Sequence, residues 1–334
     1  MRALVCHSPC DWNNLVIEDI PAPPMVPGGV RIAIACSAVS FAMSLQVAGK
    51  YQRTYPRPYT PGSEVAGTVL EVAPGVSQVN PGDRVLAVAD WGALAEEVVM
   101  PAATVYPLPA SLSFDPAIHL TNAYSTAYGS LFWRGALKAG ETVLVLGAAG
   151  AVGVAAVELA RNAGARVIAA ASTDEKRNFA LAHGAQTAIS NENLRDAVMA
   201  ATDNEGVDLV YDPVGNPLFD AALRTVKPFG RIVTLGFAGG QIPQIPANLL
   251  LVKNIAVIGF NIGLYYGWSP RDERLKHEPL IRAMMRELCQ LTEDGKLTPH
   301  VSHRFRLDEF REAMRVILAR ASQGKVLIRI GDGH

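Results

Sequence analysis

The sequence predicts an α/β protein of two domains, a β-rich barrel-like domain and a doubly wound parallel sheet. Three observations predict it. At 334 residues the chain exceeds the size at which a single hydrophobic core stops growing, about 250–300 residues. Residues 1–110 consist of short β-branched runs between Pro-Gly turns, the texture of a barrel. Beyond Asp115 the pattern changes to apolar strands alternating with helices, which calls for a parallel sheet covered on both faces.

Taken in order, residues 30–34 read as a strand after the Pro27-Gly28-Gly29 turn. Strands at 65–72 and 85–88 follow, separated by Pro74-Gly75 and Pro81-Gly82-Asp83. Residues 121–131 lack Gly and Pro before Gly129 and are expected to be helical. Strands are then expected at 142–146, 166–171, 187–189, 207–211, 231–235 and 255–260, with helices at 151–162, 174–183, 194–201 and 217–226. Six such strands fit a Rossmann domain. A polar stretch, a helix at 278–294 and a helix at 307–321 come next, and a last strand at 325–330 is expected to return to the first domain.

Composition narrows the function classes. The chain is 49% hydrophobic and 18% charged, so it buries a large core and is not disordered. Its formal charge is −1 with no block of like charges, which argues against a nucleic-acid surface or a polybasic membrane patch. Cys6, Cys10, Cys36 and Cys289 are too scattered for a disulfide framework. The first apolar run is short and ends at Asp11, and no charge-free stretch would span a bilayer. A soluble cytoplasmic protein is expected.

The segment Gly147-Ala148-Ala149-Gly150-Ala151-Val152-Gly153 joins the first parallel strand to its helix. Small residues let a backbone approach a pyrophosphate, and the helix start offers free N–H groups. Gly147, Ala149, Gly150, Ala151 and Val152 are therefore expected to contact a dinucleotide. The glycine spacing is one residue longer than the usual fingerprint, and a tight turn that only packs helix on sheet is the plainer alternative.

The second strand bears on which dinucleotide binds. An NAD site places a carboxylate near the end of that strand, but here it reads Ala169-Ala170-Ala171-Ser172-Thr173. Ser172 and Glu175 form a capping-box pattern. Lys176 and Arg177 in a first helical turn cost about 0.3–1 kcal/mol each, a penalty that a 2′-phosphate would reverse. Ser172 and Lys176 are expected to hold that phosphate, so NADPH is expected over NADH.

With this loop in place, nearly the whole chain resembles the zinc-independent quinone-reductase branch of the medium-chain dehydrogenase/reductase superfamily. The motifs are Pro61-Gly62-Ser63-Glu64-Val65-Ala66-Gly67, Pro81-Gly82-Asp83-Arg84-Val85, Thr126-Ala127-Tyr128, the glycine loop and Gly324-Lys325-Val326-Leu327. The resemblance implies a GroES-like catalytic domain, 1–118 and 262–334, with a Rossmann NADPH-binding domain, 119–261, inserted. It places the cofactor in the cleft between them. It also implies a homodimer paired through the last Rossmann strand, whose apolar edge would need covering.

The resemblance implies further cofactor contacts. Thr126 would approach the nicotinamide or its phosphate. Asp212 and Val214 end the fourth strand, Gly236 and Phe237 the fifth, and Phe260 and Asn261 the sixth. All lie at the carboxyl edge where open sheets bind ligands. Lys325 is either a further cofactor contact or a solvated strand-edge lysine.

Zinc-dependent relatives carry Cys and His where this chain resembles them with Ser40 and Ser63. Neither serine is a competent zinc ligand. Cys6 and His7 would face opposite sides of a strand, and His300 and His303 have no partner cysteine, so no metal is expected. Glu64 is read as structural and ion-paired. Without a Lewis acid, hydride transfer suits acceptors that are already electron-poor, such as quinones and α,β-unsaturated carbonyls.

Tyr51 matches a pocket tyrosine of similar reductases and would donate to the acceptor oxygen, or only wall the pocket. Ser40 stands where many relatives have Asn and keeps hydrogen-bonding capacity. Tyr265, Tyr266 and Trp268 would form an aromatic wall or, preferably, a dimer interface. The leading reading is an NADPH-dependent reductase of a small electrophile, a quinone. Enones or enoyl thioesters are the alternative, with Arg53, Arg57 and Arg271 available for a coenzyme A thioester. A non-catalytic NADPH-binding structural or sensory protein is the alternative of another class.

Overall fold

The computed structural model describes residues 1–331; the last three residues of the expected catalytic domain lie outside the described residues. The chain opens with β1 (Arg2–Val5), β2 (Val16–Asp19), β3 (Gly29–Val39), α1 (Phe41–Val47), β4 (Glu64–Val72), β5 (Arg84–Val88), β6 (Glu97–Pro101), β7 (Val105–Pro107) and α2 (Phe114–Ala117). A helical stretch follows, from a π turn at Leu120–Tyr124 through α3 (Ser125–Tyr128) to a second π turn at Gly129–Arg134. Alternation begins with β8 (Thr142–Leu146), α4 (Ala151–Asn162), β9 (Arg166–Ala171), α5 (Asp174–Ala182), β10 (Thr187–Ser190) and α6 (Leu194–Ala201). It continues through β11 (Val207–Asp212), α7 (Leu218–Thr225), β12 (Val226–Thr234), α8 (Ala247–Lys253) and β13 (Ala256–Gly259). The chain closes with α9 (Arg274–Glu293), β14 (Val301–Arg306), α10 (Phe310–Leu318) and β15 (Lys325–Arg329).

Two compact units result. Of the described residues, the first contains 1–122, 263–295 and 299–331, and the second 123–262 and 296–298.

The first unit is built on a seven-stranded sheet ordered β14-β15-β3-β4-β5-β7, with β6 also on β3. The last strand does return to this sheet, antiparallel to β3 with Val326 opposite Val39. Gly67 is required where β4 crosses β3, because a Cβ there would lie 2.1 Å from the Ala33 carbonyl oxygen. Inward residues such as Val30, Ile32, Val65, Val69 and Val85 form one apolar cluster. Leu4, Trp12, Val47, Phe310 and Ile328 belong to a second. Trp12 Nε1 donates to the Phe310 carbonyl at 2.9 Å, which ties the N-terminal segment to α10.

The second unit is an all-parallel six-stranded sheet ordered β10-β9-β8-β11-β12-β13. Every residue of β8 is buried, as a central strand covered on both faces must be. The strand order reverses between β8 and β11, which is the topological switch point of a doubly wound fold.

Departures from expectation have local causes. The helix expected at 121–131 is interrupted by two π turns. Gly129 is needed there because a Cβ would lie 2.3 Å from the Phe260 ring. The strand expected from 231 begins at Val226, and on it Phe229 takes a positive φ and is 80% exposed. Helix α9 starts at Arg274 and carries Pro279 in its second turn, although proline favours the first. Helix α8 is absent from the expectation, and its Leu251 and Val252 face outward.

Candidate dinucleotide and substrate sites

The glycine loop leaves β8 and enters α4 at the switch point. Gly147 has φ 60°, a left-handed conformation that glycine adopts at no steric cost. A Cβ on it would meet the Val214 side chain at 3.2 Å, so the loops after β8 and β11 touch. At Gly153 a Cβ would lie 2.2 Å from the Gly147 carbonyl oxygen, and glycine is what lets α4 pack on the loop. Gly150 is the extended N-cap of α4, where a Cβ would sit 3.4 Å from the Gly147 carbonyl oxygen, an ordinary contact. With Ala149 just before this cap and Ala151 and Val152 in the first turn of α4, the segment could take a phosphate at the helix start.

The end of β9 differs from the expected cap. Thr173, not Ser172, caps α5, with its hydroxyl accepting from the Lys176 N–H at 3.3 Å. The expected capping box is therefore replaced by a single Thr173 cap, with Lys176 at the third helical position, and Ser172 stands exposed outside it. Arg177 donates to the Ala171 carbonyl at 3.1 Å, so it holds the strand end rather than facing solvent. No carboxylate lies on β9 itself.

Asp212 is fully buried, and its carboxylate accepts from the Val214 and Gly215 N–H groups at 2.9 Å each. Burial pushes its carboxyl up, opposed by those two hydrogen bonds. Asp212 thus shapes the loop, and Val214 carries the surface that meets Gly147. Gly236 follows β12 directly below Pro213, whose carbonyl oxygen would lie 3.3 Å from a Cβ. Phe237 is 40% exposed at the same edge. Thr126 is buried within α3. Phe260 is buried against Gly129 just beyond β13, and Asn261 is exposed.

In the first unit, Ser40 is the N-cap residue of α1 and makes no side-chain cap hydrogen bond. Tyr51 is partly buried, and desolvation pushes its phenol up, so the hydroxyl keeps its proton. Lys325 is buried rather than a solvated strand-edge lysine. Its ammonium is enclosed with Glu64, 2.7 Å from both carboxylate oxygens, and Thr121 Oγ1 adds a bond at 2.9 Å. The carboxylate beside Ser63 is thereby neutralised by an internal cation, the role foreseen for Glu64.

Two clusters escaped the sequence reading. On α4, Glu158 accepts from Tyr124 Oη at 2.7 Å, the Thr298 N–H at 2.9 Å, Thr298 Oγ1 at 2.5 Å and His183 at 2.6 Å. Burial raises its carboxyl, but the bonds from His183, Thr298 and Tyr124 outweigh that and hold it below the usual value. The other cluster centres on Arg53, which donates to Asp90 at 3.2 Å. Arg274 donates to both oxygens of the same Asp90 and to Asp272. The Arg53 guanidinium lies 5.4 Å from the Tyr55 ring and 5.9 Å from the Trp91 and Trp268 rings. Widely separated charges and aromatics gave no sequence period to find.

Tyr266 is 1% exposed and donates to the Thr121 carbonyl at 2.7 Å. It is a core residue, which corrects the dimer-interface expectation. Arg53 is committed as above, and Arg57 contacts Cys6 Sγ at 2.8 Å and lies over Tyr59. Both are partly exposed and engaged within the unit, while Arg271 is exposed.

Two family models match the chain, the alcohol dehydrogenase GroES-like domain over residues 26–110 and zinc-binding dehydrogenase over residues 151–275. The chain is 40% identical to a quinone oxidoreductase-like protein 2 homolog of Nematostella vectensis, over 98% of this chain and 88% of that protein. A crystal structure of a probable oxidoreductase from Mycobacterium abscessus superposes with TM-score 0.87 at 33% identity, covering 98% of each chain. A mycobacterial protein solved with NADPH superposes with TM-score 0.90 at 27% identity, covering 98% of this chain and 100% of that one. With serines at 40 and 63 and this pattern of relatives, the chain belongs to the zinc-independent, quinone oxidoreductase-like branch of the medium-chain dehydrogenase/reductase family and is an oxidoreductase of that type.

Proposed function

We propose that the protein is an NADPH-dependent reductase that delivers hydride to a quinone without zinc. The observation that carries the cofactor choice is the end of β9, where Ser172 is exposed outside the helix cap and Lys176 follows, with no carboxylate on the strand. A solved relative in complex with NADPH supports it. NADPH supplies the hydride when bound. The Gly147–Gly153 loop and the start of α4 hold the pyrophosphate, Ser172 and Lys176 the 2′-phosphate, and Asp212 keeps the neighbouring loop in shape. Thr126, Val214, Gly236, Phe237, Phe260 and Asn261 are the remaining cofactor-side surface. Tyr51 stays protonated and able to donate, with Ser40 as a second hydrogen-bonding group. The named relatives and a hydride chemistry that needs no Lewis acid support the quinone.

Lys176→Ala is expected to weaken NADPH about tenfold, one charge-assisted bond, and to leave NADH unchanged. Equal affinity of the unaltered protein for the two cofactors would sink the proposal. We further propose a cytoplasmic homodimer paired through β13, the edge of the parallel sheet. Among the described residues no helix is long and apolar enough to cross a membrane. Sedimentation velocity tests the assembly, and a monomer at micromolar concentration would contradict it.

A further inference from the structure

The Arg53 cluster has two donors without acceptors. Arg53 Nη1 and Trp268 Nε1 are both buried and make no hydrogen bond, and they belong to one cluster, with the guanidinium 5.9 Å from the Trp268 ring. Orphaned buried donors are costly, about 1–3 kcal/mol each, and more for a charged group. Elsewhere on the guanidinium, Nη2 bonds Asp90, the Tyr55 hydroxyl pairs with it, and three aromatic rings lie within about 6 Å of its centre. What the place lacks is one acceptor atom.

Charge decides which kind of acceptor. Arg53 and Arg274 share Asp90, and Arg274 also bonds Asp272, so two cations already face two carboxylates. An anionic ligand would leave that balance one charge negative, whereas a neutral carbonyl oxygen preserves it. The walls, Tyr55, Trp91 and Trp268, suit a flat apolar body. Trp91 is 38% exposed, so the aromatic group reaches the surface.

We infer that Arg53 and Trp268 form a two-donor seat for the carbonyl oxygen of an uncharged, planar electrophile, and that this seat sets the substrate class. The inference rests on the reductase reading for its role in turnover but not for the binding itself. It favours quinones and simple aryl or cyclic enones over coenzyme A thioesters, since Arg53 is engaged with Asp90 and Arg57 with Cys6 and Tyr59.

The test uses the full chain saturated with NADP⁺ and follows tryptophan fluorescence during titration with acetophenone, a planar ketone. Ethylbenzene, which lacks the oxygen, and benzoate, which adds a charge, are the comparison probes. Acetophenone is expected to bind best. Arg53→Met keeps the stem and leaves Asp90 bonded to Arg274. It should weaken acetophenone about tenfold or more while changing ethylbenzene less than about twofold. Trp268→Phe keeps the wall and removes its donor, and should weaken acetophenone alone. Equal losses for acetophenone and ethylbenzene would reduce Arg53 to a packing residue and overturn the seat. Tighter benzoate binding would overturn the neutral-carbonyl assignment. Acetophenone affinity unchanged in both variants would mean that water satisfies the donors, which also overturns it. If the probe results hold but quinone consumes no NADPH, the reductase reading fails and the seat stands.

Discussion

Replacing Lys325 with methionine removes a charge that contacts both oxygens of Glu64 and leaves the carboxylate enclosed. At 2.7 Å and an effective dielectric of about 20, the pair attracts with roughly 6 kcal/mol before desolvation is counted. Side chains exposed by only 4% and 3% lose nearly all of their hydration, so the net worth of the pair against an apolar replacement is small. The cost of breaking it is not small: an uncompensated buried charge typically costs about 3–5 kcal/mol. Lys325→Met should therefore lower the unfolding free energy of the first unit by that amount in urea titrations at pH 7. The paired variant Glu64→Gln with Lys325→Met, which is neutral, should recover all but about 1 kcal/mol. A single variant that loses less than about 1 kcal/mol, or a double variant no better than the single one, would refute the reasoning. The same pair explains how the chain tolerates a buried carboxylate beside Ser63.

Other outcomes follow from the second unit. The carboxyl of Glu158 lies below its ordinary 4.5 in the folded protein. Its stabilising contribution is therefore complete above pH 4.5 and disappears as pH falls through the folded value. Urea midpoints should drop more steeply on acidification in the unaltered protein than in Glu158→Gln, and parallel acid limbs would contradict this. Gly153→Val should weaken dinucleotide binding at least about tenfold, because the Cβ position is 2.2 Å from the Gly147 oxygen and the loop must separate from α4. Unchanged affinity in a fluorescence titration would show that the loop gives way freely.

The alternation of apolar strands with helices was legible because each carries a strong local signal. Helices at Ala151–Asn162 and Leu194–Ala201 and strands at Thr142–Leu146 and Arg166–Ala171 lie where periodicity puts them. Helix α8 was illegible because its outward Leu251 and Val252 break the amphipathic rule. The π turns around Thr126 were illegible because tertiary contacts such as Gly129 with Phe260 set them. The glycine loop announced itself through spacing. The enclosure of Lys325 did not, because Glu64 and Thr121 come from distant parts of the chain. Arg53, Asp90, Trp268 and Arg274 converge in the same way, by topology alone.

The central claim is zinc-free hydride transfer from NADPH to a quinone. Its most direct test is the oxidation of NADPH, followed by absorbance, with a simple para-quinone as acceptor and a strong metal chelator present. The account predicts chelator-insensitive turnover with NADPH, and turnover with NADH at least about tenfold weaker at subsaturating cofactor. No NADPH oxidation, or activity abolished by chelation and restored by zinc, would contradict it.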